Sequence, residues 1–411
     1  MSLIVMKFGG TSVGDIDRIK SAAAKVSAEI QRGHKVAVVV SAMTGVTDQL
    51  IGLCRSVSPR YDQREHDTVV ATGEQVTSGL MALALHQRGL NARSWQGWQL
   101  RLLTDSTHAK ARIMDIEADV LRRSLEEGEV AVVAGFQGVT EDNRVTTLGR
   151  GGSDTSAVAL AVALKADRCD IYTDVEGVFT TDPRIVSSAR KMKRVSYEEM
   201  LELASLGAKV LQVRSVELAM RYRMPIQVLS TFANEVGSDL PGTLVTEGDK
   251  DMEKNAVTGI AHTTDEAKIT LVKLSDKPGV AARVFVPLAR AGVNVDMIVQ
   301  TASEDGQVTD LTFTVGKADC ERALKVLEDE KNNIGFTRLV SEKNVTKISL
   351  VGIGMRSHAG VAALMFETLA EKGINIQVIE TSEINTSVLI SDEYTELALR
   401  ALHAAYNLDV A

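Results

Sequence analysis

The sequence predicts an α/β chain in two parts: helices around a mostly parallel sheet, then two small units of βαββαβ type. Three observations carry this. Up to about residue 245, short β-branched runs alternate with longer amphipathic stretches, as in a parallel sheet covered by helices. A stretch containing Gly, Ser, Asp and Pro (237–243) and the charge-dense run EGDKDMEK (247–254) then read as a linker. Beyond it, residues 279–298 and 360–379 align without gaps at a constant offset of 81 and agree at ten of twenty positions, which marks an internal repeat.

Taken in order, the strands of the first part fall at 4–8, 36–40, 130–136, 170–173 and 226–229. The helices fall at 15–32, 72–88, 153–165 and 197–206. Residues 36–40 are apolar without alternation, as expected of a central strand covered on both faces. Each repeat reads strand, loop, helix, Gly-Val-Asn or Gly-Ile-Asn turn, strand, strand, helix, which gives a small sheet with helices on one face. The expected organisation is a catalytic domain over 1–245, a linker over 246–265, and repeats over 266–342 and 343–411. The repeat is either a duplication without a ligand or a pair of sheets whose junction makes clefts.

Composition narrows the function. The net charge of −8 argues against non-specific nucleic-acid binding, which needs a basic face. Aromatic residues make up only 4%, so the core must come from aliphatic side chains and Met. Cys54, Cys169 and Cys320 are far apart and form no CxxC pair, so neither a zinc site nor a disulfide framework is expected. The N-terminus opens on an apolar strand without the regions of a secretory leader, and no apolar run approaches the ~20 residues of a membrane span. A cytoplasmic chain without membrane or nucleic-acid partners is expected.

Five motifs carry chemistry. Lys7-Phe8-Gly9-Gly10-Thr11-Ser12 leaves a strand for a helix; its glycines allow close approach of a phosphate, and Lys7 can neutralise one. A plain strand-to-helix turn is the other reading, although a Lys at the end of an apolar strand needs an anionic partner. Ser41-Ala42-Met43-Thr44-Gly45-Val46-Thr47-Asp48 follows the second strand, where ligands bind on parallel sheets, or else is an N-cap cluster. Glu74 in Thr72-Gly73-Glu74 can face a substrate ammonium, or is simply a first-turn acid favoured by the helix dipole. In Gly149-Arg150-Gly151-Gly152-Ser153-Asp154, a guanidinium suited to two-pronged carboxylate binding stands among glycines that leave room for a ligand; a structural loop is the alternative. In the run from Thr173-Asp174 to Asp182-Pro183-Arg184, Asp174 and Asp182 together with Arg184 fit a nucleotide phosphate and metal site.

The runs KFGGTSVG, SAMTGVTD, TGE, GRGGSD and TDVEGVFTTDPR occur in the order and spacing of aspartate kinases, and DKPGVAA, GMRSHAGVAA and TSEI resemble the tandem ACT domains of that family. The resemblance covers nearly the whole chain. It implies the amino-acid-kinase fold, a three-layer αβα sandwich, followed by two ferredoxin-like ACT units in a single-function enzyme. The implied activity is Mg2+- and ATP-dependent phosphorylation of the side-chain carboxylate of L-aspartate to 4-phospho-L-aspartate, the first step toward lysine, threonine and methionine.

Roles carried over by resemblance are as follows. Lys7 and Lys209 contact the transferring phosphoryl group, and Asp174 orients the lysines. Arg150 clamps the substrate α-carboxylate and Glu74 faces its ammonium, with Ser41, Thr47, Gly151, Gly152, Ser153 and Asp154 completing that pocket. Phe8, Gly9, Gly10, Thr173, Phe179, Asp182, Arg184 and Val210 belong to the ATP side. Asp276, Gly279, Ala281, Asn294, Gln300, His358, Asn375 and Ile376 are the regulatory candidates for lysine and/or threonine. A homo-oligomer through the ACT units is expected, with Met252 a conceivable start of a separate regulatory subunit.

Three places depart from the family pattern. Phe179 stands where Tyr is usual, Thr301 replaces Asn, and 380–386 differs from the usual run, which loosens effector identity rather than catalysis. Another amino-acid kinase, for glutamate or acetylglutamate, and a silent amino-acid-binding regulator are the alternatives. GRGGSD with tandem ACT units weighs against the first, and retention of Lys7, Glu74, Arg150, Asp174 and Lys209 against the second.

Overall fold

The computed structural model describes residues 2–208, 210–248, 256–303, 307–356, 358 and 360–410. It divides into two compact units: residues 1–179, 191–205 and 209–252, and residues 180–190, 206–208 and 253–411.

Among the described residues, the first unit is built on an eight-stranded sheet. Its order is Arg194–Ser196, Thr243–Thr246, Ile226–Ser230, Arg168–Thr173, Leu3–Phe8, Lys35–Val40, Val130–Ala134 and Ala92–Trp95. Every neighbour pair is parallel except Ile226–Ser230 with Thr243–Thr246. The five expected strands are all present, extended or trimmed by one or two residues. The strands Lys35–Val40 and Val130–Ala134 are buried almost throughout, which is why they read as unbroken apolar runs.

Alternation along Leu3–Phe8 decides which side chains see which layer. Ile4, Met6 and Phe8 enter a core with Ile19, Ala23 and Val26 of the helix Ile16–Gln31 and Met81 and Leu85 of the helix Thr72–Gln87. Lys7 therefore points to the opposite layer, where the helix Gly152–Leu164 packs on the strand and on the helix Val213–Tyr222. Gly152–Leu164 is buried along nearly its whole length, consistent with its Ala/Val/Leu composition on all sides. A smaller sheet, ordered Ile113–Ile116, Leu102–Thr104, Gln137–Val139 and Val145–Thr147, leads directly into the Arg150 loop.

In the second unit, one six-stranded sheet joins the two repeats in the order Val295–Ala302, Val308–Val315, Gly259–Ser275, Arg338–Val351, Asn385–Ser391 and Val378–Thr381. The helices Val280–Arg290 and Cys320–Asp329 cover one core, and Val361–Glu371 and Thr395–Ala405 the other. The two long strands each serve both repeats. Lys268 to Val272 pair with Glu342 to Arg338 in the first repeat, whereas Gly259 to Thr263 pair with Val351 to Lys347 in the second. Part of the stretch expected as linker is thus a strand of the second repeat; its partners lie far along the chain, so local sequence carried no sign of it. Met252 lies outside the described residues.

Segment 180–190 follows the Thr173-Asp174 strand end in sequence yet packs in the second unit. Val186 lies in the second repeat's core. Ile260 N donates to Thr180 O at 2.7 Å, and Arg400 Nε to Ile185 O at 3.0 Å.

Candidate functional site

The C-terminal ends of the central parallel strands in the first unit border a cavity of about 410 Å³. It is lined by Lys7, Gly9, Gly10, Thr11, Thr44, Asp154, Ile171, Thr173, Asp174 and Val210. Gly9 N donates to Tyr172 O at 3.2 Å, which ties the loop to the neighbouring strand, and the 3-10 turn Gly10–Val13 follows. At Gly9 a Cβ would lie 3.2 Å from Lys7 Nζ, and at Gly10 it would lie 3.2 Å from Ala42 O. The backbone thus runs close to the lysine and leaves the cavity open.

Lys7 is 8% exposed, and its Nζ lies 2.6 Å from Asp154 Oδ1, close in distance but without hydrogen-bond alignment. Asp154 sits in the first turn of Gly152–Leu164. Asp154 is thus a counter-charge of Lys7, whereas Asp174, exposed at the strand end, receives a hydrogen bond from Thr173 Oγ1 at 3.2 Å. The helix begins on the layer that Lys7 faces, so its first-turn carboxylate meets the ammonium. Phe8 turns its side chain the other way. Its ring is fully buried, stacked on Tyr172 with centroids 4.8 Å apart, on the face away from the cavity. Lys209 lies outside the described residues.

The substrate motifs meet around the segment 41–48. Glu74 is 3% exposed, and its Oε1 accepts from Ala42 N at 2.9 Å. Its other oxygen is buried without a hydrogen-bond partner among the described residues. Burial raises this carboxyl to about 7, against the lowering by the Ala42 amide. The preceding glycine makes the approach feasible, since a Cβ at Gly73 would stand 2.8 Å from that of Ala42. From the other side, Arg150 NH2 lies 3.5 Å from Asp48 Oδ1, with the Arg150 side chain 93% exposed. Such an exposed pair holds the guanidinium only weakly and leaves it available to an anion. Ser41 N donates to Phe8 O at 3.1 Å, and Thr47 lies in the first turn of the helix Val46–Val57. Ser153 is buried behind Gly151 and Gly152 at the start of its helix.

Phe179 is half-buried beside Lys191, with which it forms an isolated bridge. Asp182 and Arg184 belong to the second unit, where Arg184 donates to both Asp182 oxygens. Those bonds hold the Asp182 carboxyl below the usual range. Among the regulatory candidates, Gly279 opens the helix Val280–Arg290 at φ +94°, and Ala281, Asn294, Gln300 and Asn375 are exposed. Asp276 is half-buried and its amide donates to Gln307 O at 2.9 Å. Ile376 packs on the second repeat's core, and His358 Nδ1 lies 2.7 Å from Gly354 O.

No three His, Cys, Asp or Glu side chains converge to hold a metal among the described residues. The two carboxylates at the cavity, Asp154 and Asp174, suit a Mg2+ carried chiefly by phosphate oxygens and water rather than by a protein cage. Thr11, Thr44 and Ile171 also line the cavity and were not singled out from sequence. Thr11 and Thr44 lay within the quoted motifs, but nothing distinguished them from capping hydroxyls. No helix among the described residues is long and apolar enough to cross a membrane.

Comparison with known proteins gives a consistent result. The amino acid kinase family model matches residues 2–230, and the ACT domain model matches 269–330 and 348–406. The chain is 53% identical over 411 residues to the aspartokinase of Pseudomonas aeruginosa, covering all of this chain and 98% of the relative. It is 48% identical to aspartokinase 2 of Bacillus subtilis, covering 99% and 98%. Among solved structures, aspartokinase III of E. coli in complex with aspartate and ADP (R-state) superposes with a TM-score of 0.81 at 27% identity, covering 98% of this chain and 99% of that one. The lysine and aspartate complex (T-state) gives a TM-score of 0.78 at 28% identity, covering 99% of each.

Proposed function

The chain belongs to the aspartate kinase family, an amino acid kinase domain followed by ACT domains, and on that premise we propose how its residues divide the work. The observation that carries the proposal is the cavity at the sheet edge, where the buried Lys7 pairs with Asp154, together with a substrate side on which an exposed pair with Asp48 holds Arg150 only weakly and Glu74 keeps one buried oxygen unpartnered among the described residues.

A side-chain carboxylate is already a nucleophile at neutral pH, so the reaction needs no general base. The difficulty is bringing an anion to a polyanion, and catalysis is then positioning plus charge neutralisation. Lys7 neutralises the transferring phosphoryl group, and Asp154 holds its ammonium in place between turnovers. The Gly9-Gly10 turn lets the phosphates approach the backbone closely, and Thr173 and Asp174 border the same cavity. Arg150 grips the substrate α-carboxylate with two parallel hydrogen bonds while Glu74 takes the ammonium, which leaves the β-carboxylate directed at the phosphoryl group. Mg2+, when bound, neutralises phosphate oxygens further. Lys209, Asp182 and Arg184 are assigned to the nucleotide by resemblance.

We also read the ACT repeats as the receptor for lysine and/or threonine, end products of the pathway this reaction opens, and as the surface through which the chain self-associates. The E. coli relative solved with lysine supports the first of these. Hydroxamate formation measured with aspartate, glutamate and acetylglutamate tests the substrate assignment. Activity confined to aspartate is expected, and preference for either other acid overturns it. Arg150→Lys tests the clamp: it should raise the aspartate KM strongly and leave the ATP KM little changed, because Lys lacks the planar fork.

A further inference from the structure

We propose that Asp67 is a positioning residue for the substrate-binding loop 149–154, acting through Thr147; the proposal rests on the reading of Arg150 as the carboxylate clamp. Asp67 lies in the helix Gln63–Val70 and is fully buried. Its carboxylate collects donors from two other segments. Thr147 donates twice, from its amide at 3.0 Å and from Oγ1 at 2.7 Å. The amide of Ala109 donates at 3.0 Å, and His108 Nδ1 lies 2.9 Å away. His66 Nδ1 lies 3.2 Å from the same group.

A buried carboxylate is costly unless its oxygens are filled. Here they are filled by the strand end that enters the Arg150 loop and by the turn beneath it. That turn bears on the loop directly: Ala111 N donates to Thr147 O at 2.9 Å, and a Cβ at Gly149, whose φ is +83°, would lie 3.2 Å from Ala109 O. The helix Val213–Tyr222 and its cap complete the support. Arg214 donates to Leu148 O at 2.7 Å and to Ala111 O at 2.9 Å, and Gln212 Nε2 donates to Arg150 O at 2.7 Å.

The backbone of the loop is therefore held from 147 to 150 while the Arg150 side chain remains exposed. A guanidinium that must meet a small carboxylate in two-pronged register gains from this arrangement, because displacement of a positioning group by about 1 Å can cost on the order of 10²-fold. Asp67 does not line the cavity at the sheet edge, so its effect should fall on aspartate and not on ATP.

The test uses the full chain with Asp67→Asn, Thr147→Val, Thr147→Ser and Arg150→Lys, each checked for fold by circular dichroism and thermal unfolding. Asp67→Asn should raise the aspartate KM about 10-fold or more, with the ATP KM within about twofold. Thr147→Val should raise it about 3–10-fold, the share of one buried hydrogen bond, and Thr147→Ser should restore it. If Asp67→Asn fails to fold, the two Thr147 variants decide the matter. An unmoved aspartate KM in folded Asp67→Asn or Thr147→Val, or a parallel rise in both KM values, overturns the positioning role. Arg150→Lys separates the two claims. If it leaves the aspartate KM unmoved, the clamp falls and this proposal with it; if it raises the KM while the Asp67 and Thr147 variants do not, only the positioning falls.

Discussion

Thr180 Oγ1 and His403 Nε2 lie 2.9 Å apart, joining the segment 180–190 to the last helix of the second repeat. Both groups are buried, and burial pushes the His403 imidazole below its ordinary value. His262, on the strand that also bonds Thr180, is lowered for the same reason. A lowered histidine means that the folded state prefers the neutral ring. The stability it contributes is complete above the unfolded value of about 6.5 and is lost as pH falls through the lower folded value. His403→Ala should cost about 1–3 kcal/mol at pH 7.5, because the buried Thr180 hydroxyl loses its ring partner and keeps the Arg190 amide, which donates to it at 3.0 Å. It should also speed amide hydrogen exchange across 180–190 and flatten the loss of stability between pH 7.5 and 5.5. Unchanged exchange in that segment would show that the bond does not anchor it.

Lys7→Ala should lower kcat by roughly 10²-fold or more, because a charge held ready for the transition state is removed. Asp154→Asn provides the complementary measurement: it leaves Lys7 without its counter-charge, and kcat should fall by less than in Lys7→Ala because the lysine itself remains. A folded Lys7→Ala protein with near-normal kcat would remove Lys7 from the chemistry.

Glu74 should set a pH limb on substrate capture. With its carboxyl at about 7, it is only partly ionised at neutral pH in the free enzyme. The kcat/KM for aspartate should therefore fall as pH drops below about 7, approaching tenfold per unit, and Glu74→Gln should abolish that limb at a much lower value. The stability effect has the opposite sense. A raised carboxyl stabilises the fold fully below its unfolded value near 4.5, and this contribution is lost as pH rises through about 7. Glu74→Gln should thus be more stable than the parent at pH 8, by on the order of 1–3 kcal/mol, while binding aspartate worse. A variant that is both less stable and less active at pH 8 would mark Glu74 as structural.

These side chains differ in how far the sequence alone exposes them. Lys7, Gly9-Gly10 and Arg150 each sit in a contiguous strand–loop–helix run, and Glu74 in the first turn of a helix, where residue type and position together imply a role. The pairing of Lys7 with Asp154 spans two motifs and depends on which layer the helix Gly152–Leu164 occupies, so Asp174 was the more natural partner on paper. The direction of the Phe8 ring was hidden for a related reason: a motif lists consecutive residues, but a strand sends alternate ones to opposite faces. Asp67 carried no signal, since its donors come from two distant segments and Asp in a helix reads as surface. The strand at 259–263 shows the same limit at the level of fold, because β pairing with a remote partner leaves little local trace.

Regulation gives the last prediction. Asp276 follows the strand Gly259–Ser275, three residues before Gly279 opens the helix Val280–Arg290. The second repeat repeats the device at Gly360, with φ +105° before Val361–Glu371. Each helix start offers amide groups to an amino-acid carboxylate, and in the first repeat the Asp276 carboxylate stands where an effector ammonium could be met. The second repeat has Met355-Arg356-Ser357-His358 in the corresponding stretch, so the two sites should differ in ligand. Titration of lysine, threonine, methionine and the lysine–threonine pair should find inhibition with coupling of ~1–3 kcal/mol, or about 5–150-fold. Asp276→Ala should relieve it while leaving the uninhibited kcat nearly intact, since the residue belongs to the second unit and the cavity to the first. Relief without loss of kcat would separate effector binding from chemistry. Absence of inhibition by any of the four at millimolar levels would leave the repeats as an assembly module.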